Sequence, residues 1–136
     1  MKLRAFSSYG EQHFHPIISI GENVHIETDC HISAIEAVYI GDNVLIGSFV
    51  YISDHRHGVY SNNDIETAPI KRNLSSKGCI KIEDNVWIGE KVIILPGVTV
   101  GKYSIIGAGS IVTKDIPPYC IAAGNPAKII KQIPHS

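Results

Sequence analysis

The chain reads as an all-β protein of the parallel β-helix class, a stack of short coils, and three observations carry that reading. From Ile82 onward a β-branched aliphatic residue recurs at every sixth position: Ile82, Ile88, Ile94, Val100, Ile106 and Val112. The same spelling stands earlier at Ile20, Ile26 and Ile32 and, after a two-residue slip, at Ile40, Ile46 and Ile52, which makes twelve hexapeptides. Four positions after the aliphatic comes a small or β-branched residue (Val86, Val92, Val98, Ser104, Ser110), and glycine often follows it directly (Gly89, Gly101, Gly107). A period of six fits neither the 3.6-residue helix nor an uninterrupted strand alternation. It marks a short unit repeated with the same side chain turned inward. A β-sandwich has no reason to hold that register.

Each hexapeptide is one short strand and a turn, too small to bury its own apolar side. Stacking aligns the aliphatics into an internal column and lets backbone hydrogen bonds run from coil to coil. Ile and Val suit such a surface because their branched side chains are stiff at χ1. Gly21, Asn23, Gly41, Asn43 and Asn85 stand where the chain must turn. At three hexapeptides per coil the twelve make four coils, roughly 20 Å of stack at the usual strand spacing. Cys30 falls four after Ile26, so a buried thiol is expected there.

The register breaks once, between Ile52 and Ile82. The segment from about 53 to 81 is rich in Ser, Asn, Asp, Gly and Pro and reads as an excursion from the coil. Long loops in small domains more often carry function than not. This one holds the densest cluster of titratable groups in the chain: Asp54, His55, Arg56 and His57. A second terminator follows the last repeat at Pro117-Pro118, since proline cannot donate to a ladder. Asn125-Pro126 then fits an N-cap and first helical residue, and the spacing predicts a short C-terminal helix through about Gln132. In this reading residues 1–136 form one β-helix domain, with a C-terminal cap over about 115–136 closing the stack.

Composition narrows the function classes. The 136 residues carry a formal charge of −1 and 44% hydrophobic residues, so no strong field argues for nucleic acid. No apolar run is long enough for a membrane span, and Met1–Phe6 lacks the apolar segment of a signal peptide. Three cysteines with no C-x-x-C pair fit reduced thiols and a cytoplasmic protein. Charge is uneven: residues 101–136 hold Lys102, Lys114, Lys128 and Lys131 against Asp115 alone, whereas the remainder is acidic. A basic end of this kind is a solvated face or a seat for a phosphorylated ligand.

The repeats, together with Ser53–Gly58 (SDHRHG), Asp84–Gly101 (DNVWIGEKVIILPGVTVG), Ile105–Pro118 (IIGAGSIVTKDIPP) and Ala122–Lys131 (AAGNPAKIIK), resemble the hexapeptide-repeat acyltransferases, closest to the galactoside, maltose and polysaccharide O-acetyltransferases. The resemblance runs from about Ile18 nearly to the end. It implies a left-handed β-helix, a homotrimer with active sites between subunits, and acetyl transfer from acetyl-CoA to a saccharide hydroxyl. His55 matches the family's histidine at the root of the extended loop and is expected to be the general base, a role suited to an imidazole. No covalent enzyme intermediate is then needed. The oxyanion donor matches the backbone N–H of Glu90, after Gly89. The resemblance places Gly89, Gly107, Ala108, Thr113 and Lys114 along acetyl-CoA and Lys128 and Lys131 near its phosphates, where several relatives have Arg. Asp54, His57 and Trp87 are expected at the acceptor, with Trp87 pointing out of the coil one residue before inward Ile88.

Other readings are weaker. His57 is the second choice for the base. A His55/His57 metal pair lacks the third histidine and spacing of the carbonic anhydrases built on this fold, so no metal is expected. His13 and His15 are expected on a strand surface. An N-acetyltransferase on an amino-sugar nucleotide is the enzyme alternative and a non-catalytic scaffold the third class. Relatives acting on maltose or galactosides often carry an extra N-terminal helical segment that this sequence does not show. That points to a cell-surface polysaccharide or its precursor as acceptor.

Overall fold

In a computed structural model covering residues 1–136, the aliphatic repeat builds three mostly parallel sheets wrapped around one apolar column. One sheet runs Lys2–Ala5, His31–Ala34, Tyr51–Ser53, Ile93–Ile94 and Ile111–Val112. A second runs Ile17–Ile20, Ala37–Ile40, Ile80–Ile82 and Thr99–Val100. The third runs His25–Ile26, Leu45–Ile46, Trp87–Ile88, Ile105–Ile106, Cys120–Gly124 and Ala127–Gln132. The chain visits the second, third and first sheets in turn and repeats the circuit, which is the β-helix.

Registers follow the hexapeptide spelling. Ile26, Ile46, Ile88, Ile106 and Ala122 are paired neighbours up one sheet, as are Ile20, Ile40, Ile82 and Val100 up another. Ten of the twelve inward aliphatics are buried; Ile26 is half-buried and Ile20 is exposed. These two belong to the first circuit, which only Lys2–Ala5 covers, and on one sheet alone. Cys30 is buried and its thiol donates to the Gly47 carbonyl at 3.0 Å.

The repeat exchanges Val for Ser where the stack must be tied to its cap. Ser104 Oγ donates to the Pro117 carbonyl at 2.6 Å and accepts from the Cys120 N–H at 3.1 Å. Ser110 Oγ likewise donates to Gly107 and accepts from Gly124 N–H at 3.0 Å. Both serines are buried, and both are satisfied in this way.

The predicted C-terminal helix is not present. Cys120–Gly124 and Ala127–Gln132 form an antiparallel hairpin whose turn is Asn125-Pro126, with a cis peptide bond. The same dipeptide that suits a helix start also suits a turn. Sheet pairing decides between them: Cys120–Gly124 extends the ladder of Ile105–Ile106, and Ala127–Gln132 then pairs with its open edge.

Between Ser53 and Ile80 the chain leaves the coil. Arg56–His57 pairs antiparallel with Leu74–Ser75, and between them lie a short helix Asn62–Glu66, N-capped by Ser61, and a 3-10 turn Pro69–Lys71. The N-terminal segment docks onto this excursion. Its hairpin, Ser8–Tyr9 with Gln12–His13, grips Leu74 through the Gln12 side chain, which donates to the Leu74 carbonyl at 3.0 Å and accepts from its N–H at 2.7 Å. The Tyr9 hydroxyl donates to the Ile70 carbonyl. His13 and His15 are exposed on this segment, His13 within its short strand. No helix is long and apolar enough to cross a membrane.

Candidate active site

The two-residue slip between Ile32 and Ile40 shapes the first half of the site. The extra residues form a turn whose successive backbone N–H groups, from Ile35, Glu36 and Ala37, all point to Asp54. Asp54 Oδ1 accepts from Ile35 at 2.9 Å, and Oδ2 accepts from Glu36 at 2.8 Å and Ala37 at 2.9 Å. His55 Nδ1 lies 2.9 Å from Asp54 Oδ1. Burial by itself pushes the Asp54 carboxyl up. The hydrogen bond from His55 and the three backbone N–H groups more than offset it, and Asp54 sits below the usual carboxylate value. An ionised Asp54 fixes the proton of His55 on Nδ1, by the logic of the hydrogen-bond network. Nε2 is then the basic nitrogen, and it has no partner within the chain.

This arrangement corrects the expectation that Asp54 contacts the acceptor. Its side chain is fully buried, and both oxygens are engaged by the backbone turn and by His55. It orients the imidazole instead. The His55 side chain is only 9% exposed. Phe6 meets its ring edge-on at 5.4 Å, and Arg4 stands over the Phe6 ring at 4.4 Å. The sequence reading missed Phe6 and Arg4; the alternation of Leu3 and Ala5 with the outward Lys2 and Arg4 was the one available sign of a strand there.

His57 does not join His55 at this position. It is exposed on the excursion's hairpin, with Tyr9 against its ring at 5.5 Å and the Tyr9 hydroxyl 3.4 Å from Nδ1.

The second half of the site is a groove of about 480 Å3 along one corner of the β-helix. Gly47, Ser48, Gly89, Glu90, Gly107 and Ala108 form its floor, and Leu45, Trp87 and Ile105, adjacent in register on the outer face of the third sheet, form one wall. Trp87 is 51% exposed there. The groove thus brings together Trp87, Gly89, Glu90, Gly107 and Ala108 of the expected residues. The Glu90 backbone N–H donates to no carbonyl among the turn bonds, unlike its neighbours Gly89 and Lys91.

The floor glycines answer first to stacking. A Cβ on Gly89 would lie 2.7 Å from the Ala108 backbone nitrogen, and one on Gly107 would lie 2.9 Å from the Ala123 methyl. Gly109 is different: its φ is +74° and nothing crowds it, a left-handed corner that favours glycine but holds Phe49 and Lys91 at the matching places of the two preceding circuits, at φ +59° and +58°.

Thr113, Lys114, Lys128 and Lys131 are exposed and lie outside the groove lining; both Lys128 and Lys131 are on the outer strand of the C-terminal hairpin. His55 is not part of the lining either. One chain therefore carries a base-like half and a groove half on separate surfaces. No group of three or more His, Cys, Asp or Glu is arranged to hold a metal ion.

Comparison with known proteins agrees with the fold. The family described as "Bacterial transferase hexapeptide (six repeats)" matches residues 79–114. WbbJ of Escherichia coli K12, provisionally named a lipopolysaccharide biosynthesis O-acetyl transferase, is 40% identical over 123 residues, covering 88% of this chain and 62% of its own. The structure of a galactoside acetyltransferase in complex with coenzyme A superimposes with a TM-score of 0.78 at 39% identity, covering 97% of this chain and 65% of that one. That of a maltose O-acetyltransferase from Clostridium difficile 630 gives 0.74 at 35% identity, covering 95% of this chain and 71% of that one. The chain belongs to the hexapeptide-repeat transferases. It spans a little under two thirds of the length of WbbJ and of the galactoside enzyme.

Proposed function

We propose that this protein is an acetyl-CoA-dependent O-acetyltransferase acting on a saccharide hydroxyl, a unit or precursor of a cell-surface polysaccharide. The observation that carries the proposal is the His55–Asp54 pair: a nearly buried imidazole whose Nδ1 is tied to a buried carboxylate, leaving Nε2 as acceptor. A sugar hydroxyl is a poor nucleophile at neutral pH, so its proton must be taken as it attacks. His55 Nε2 removes that proton while the hydroxyl oxygen bonds to the thioester carbonyl carbon. The resulting oxyanion is met by the Glu90 backbone N–H. Collapse breaks the carbon–sulfur bond, and the imidazolium returns its proton to the departing thiolate.

The co-substrate lies in the groove, with its thioester end at Glu90, its pantetheine over Gly89, Gly107 and Ala108 and its nucleotide towards Thr113, Lys114, Lys128 and Lys131. The names of the relatives support this reading: one solved neighbour holds coenzyme A, and WbbJ is named for lipopolysaccharide work. Because His55 and the groove occupy separate surfaces of one chain, the site is completed by a second copy. The twelve hexapeptides are read as four left-handed coils, and the assembly as a homotrimer in which the excursion reaches a neighbour and His57 and Trp87 contact the acceptor. The test is thiol release from acetyl-CoA across sugars, nucleotide sugars and oligosaccharides. Release that depends on a saccharide and disappears in His55→Ala supports the proposal; saccharide-dependent release that survives in that variant refutes the assigned base.

A further inference from the structure

A cluster of cationic side chains adjoins His55, and the proposed chemistry gives it no task. Lys2 and Arg4 alternate on the strand Lys2–Ala5 with Leu3, which pairs with inward Ile32. Both therefore stand on the outer face of the sheet, Lys2 opposite His31 and Arg4 opposite Ser33, which in turn pairs with Ser53 two residues before His55. Arg4 is held over the Phe6 ring at 4.4 Å, and the edge of the pair formed by Phe6 and His55 closes the distance to the imidazole. The guanidinium is thus one aromatic ring away from the base and is oriented in advance.

His31 adds to the cluster. It is half-buried, its ring tilted at 39° against Tyr51 with centroids 4.8 Å apart, and it lines a hollow of about 300 Å3 with Met1, Lys2, Asp29 and Cys30. Burial pushes the His31 imidazole down from its ordinary value, and the charges of Lys2, Arg4 and His55 push it further. His31 therefore stands within the field of the other three groups. Their neutralisation from within is slight. Asp29 shares the hollow but forms no ion pair with Lys2 or Arg4, and Asp54 is spent on His55 and the backbone. A fixed guanidinium beside a mobile ammonium suits a carboxylate or phosphate.

We propose that the acceptor is an anionic saccharide, bearing its carboxylate or phosphate near the hydroxyl to be acetylated, and that Arg4 and Lys2 hold that anion while His55 activates the hydroxyl. This inference rests on the acetyltransfer reading and goes beyond it by giving the acceptor's charge. Arg4 and Lys2 act as specificity residues, and His31, neutral, lines the seat without adding charge.

The test uses the full chain and acceptors that differ at one carbon: glucose, glucuronic acid and glucose 6-phosphate, with the galactose series beside them. Transfer should favour an anionic member over its neutral counterpart by about tenfold or more in kcat/KM, the effect of one charge-assisted contact. Added salt should erode the preference. The arm that wins, uronate or phosphate, names the anion. In the double variant Arg4→Ala with Lys2→Ala the ratio should collapse towards one, whereas Arg4→Lys should keep part of it. Equal turnover of neutral and anionic acceptors, or a preference that survives the double variant, overturns this inference and leaves acetyltransfer standing. Saccharide-dependent release that is absent for every acceptor overturns both.

Discussion

At the scale of single residues the site turns on how Asp54 is held. Three backbone N–H groups and one imidazole converge on a carboxylate with no solvent contact. Asp54→Ala removes the acceptor for all of them, and each buried donor left unpaired costs on the order of 1–3 kcal/mol. A chemical denaturation curve should therefore show a loss of about 2 kcal/mol or more; a loss within experimental scatter would refute the anchoring role. The pH dependence has a definite sign. Because the folded carboxyl lies below its ordinary value, Asp54 contributes stability that is complete above the ordinary carboxylate range and is lost as pH falls through its lowered folded value. Asp54→Asn should flatten that acid limb. For His55→Ala, turnover should fall by about 10²–10⁴-fold while acetyl-CoA binding changes little. His57→Ala should keep most of kcat and lose mainly acceptor affinity, read as a raised acceptor KM, since His57 rests on Tyr9 rather than on the dyad. A dead His57→Ala beside an active His55→Ala would transfer the base to the other ring.

At the scale of elements, the sequence was most legible where one side chain repeats one physical task. Ile88 and Ile94 are fully buried because each pairs in register with the same kind of residue in the circuits on either side. Ile94→Asp places an unpaired charge in that column and should abolish cooperative folding, visible as loss of the far-ultraviolet strand signal. Retention of a native spectrum would contradict the inward assignment. Legibility failed where a segment's structure depends on a partner strand. Ala127–Gln132 has no hexapeptide register, and its strand conformation comes from the open edge of Cys120–Gly124, so a local capping rule pointed to a helix. The N-terminal segment was equally opaque, because Gln12 and Tyr9 acquire their role only by meeting Leu74 and Ile70 more than fifty residues away. The role of Asp54 was hidden for the same reason. The SDHRHG motif marked a reactive segment, but the amides that bury Asp54 come from the slip at Ile35–Ala37 on another circuit.

At the scale of the whole molecule, the separation of His55 from the groove sets the expectation for assembly. Trp87 and Leu45 lie exposed in register on one outer face, and Val59, Tyr60, Ile65 and Ile70 are exposed on the excursion. Contact between copies would relieve apolar surface of that extent, and the proposed trimer would bring one chain's excursion to the next chain's groove. Light scattering at micromolar concentration should therefore give three times the mass of the 14.8 kDa chain, and a monomeric mass would refute the shared site. The proposed seat of the nucleotide can be tested independently of the assembly. Lys128 and Lys131 stand exposed on the outer strand of the hairpin, and the preceding strand extends the sheet that carries Trp87 and Ile105. Lysine attracts phosphate as a point charge without the two-pronged geometry of arginine, so binding of CoA should be modest and should weaken with salt. Replacing both lysines with Ala should weaken CoA more than dephospho-CoA, because only the former has a 3′-phosphate to lose. Titration calorimetry of the two ligands against wild type and double variant measures the difference directly. Equal losses for both would show that these lysines do not read the 3′-phosphate, and the nucleotide would then have to run along a different edge of the β-helix.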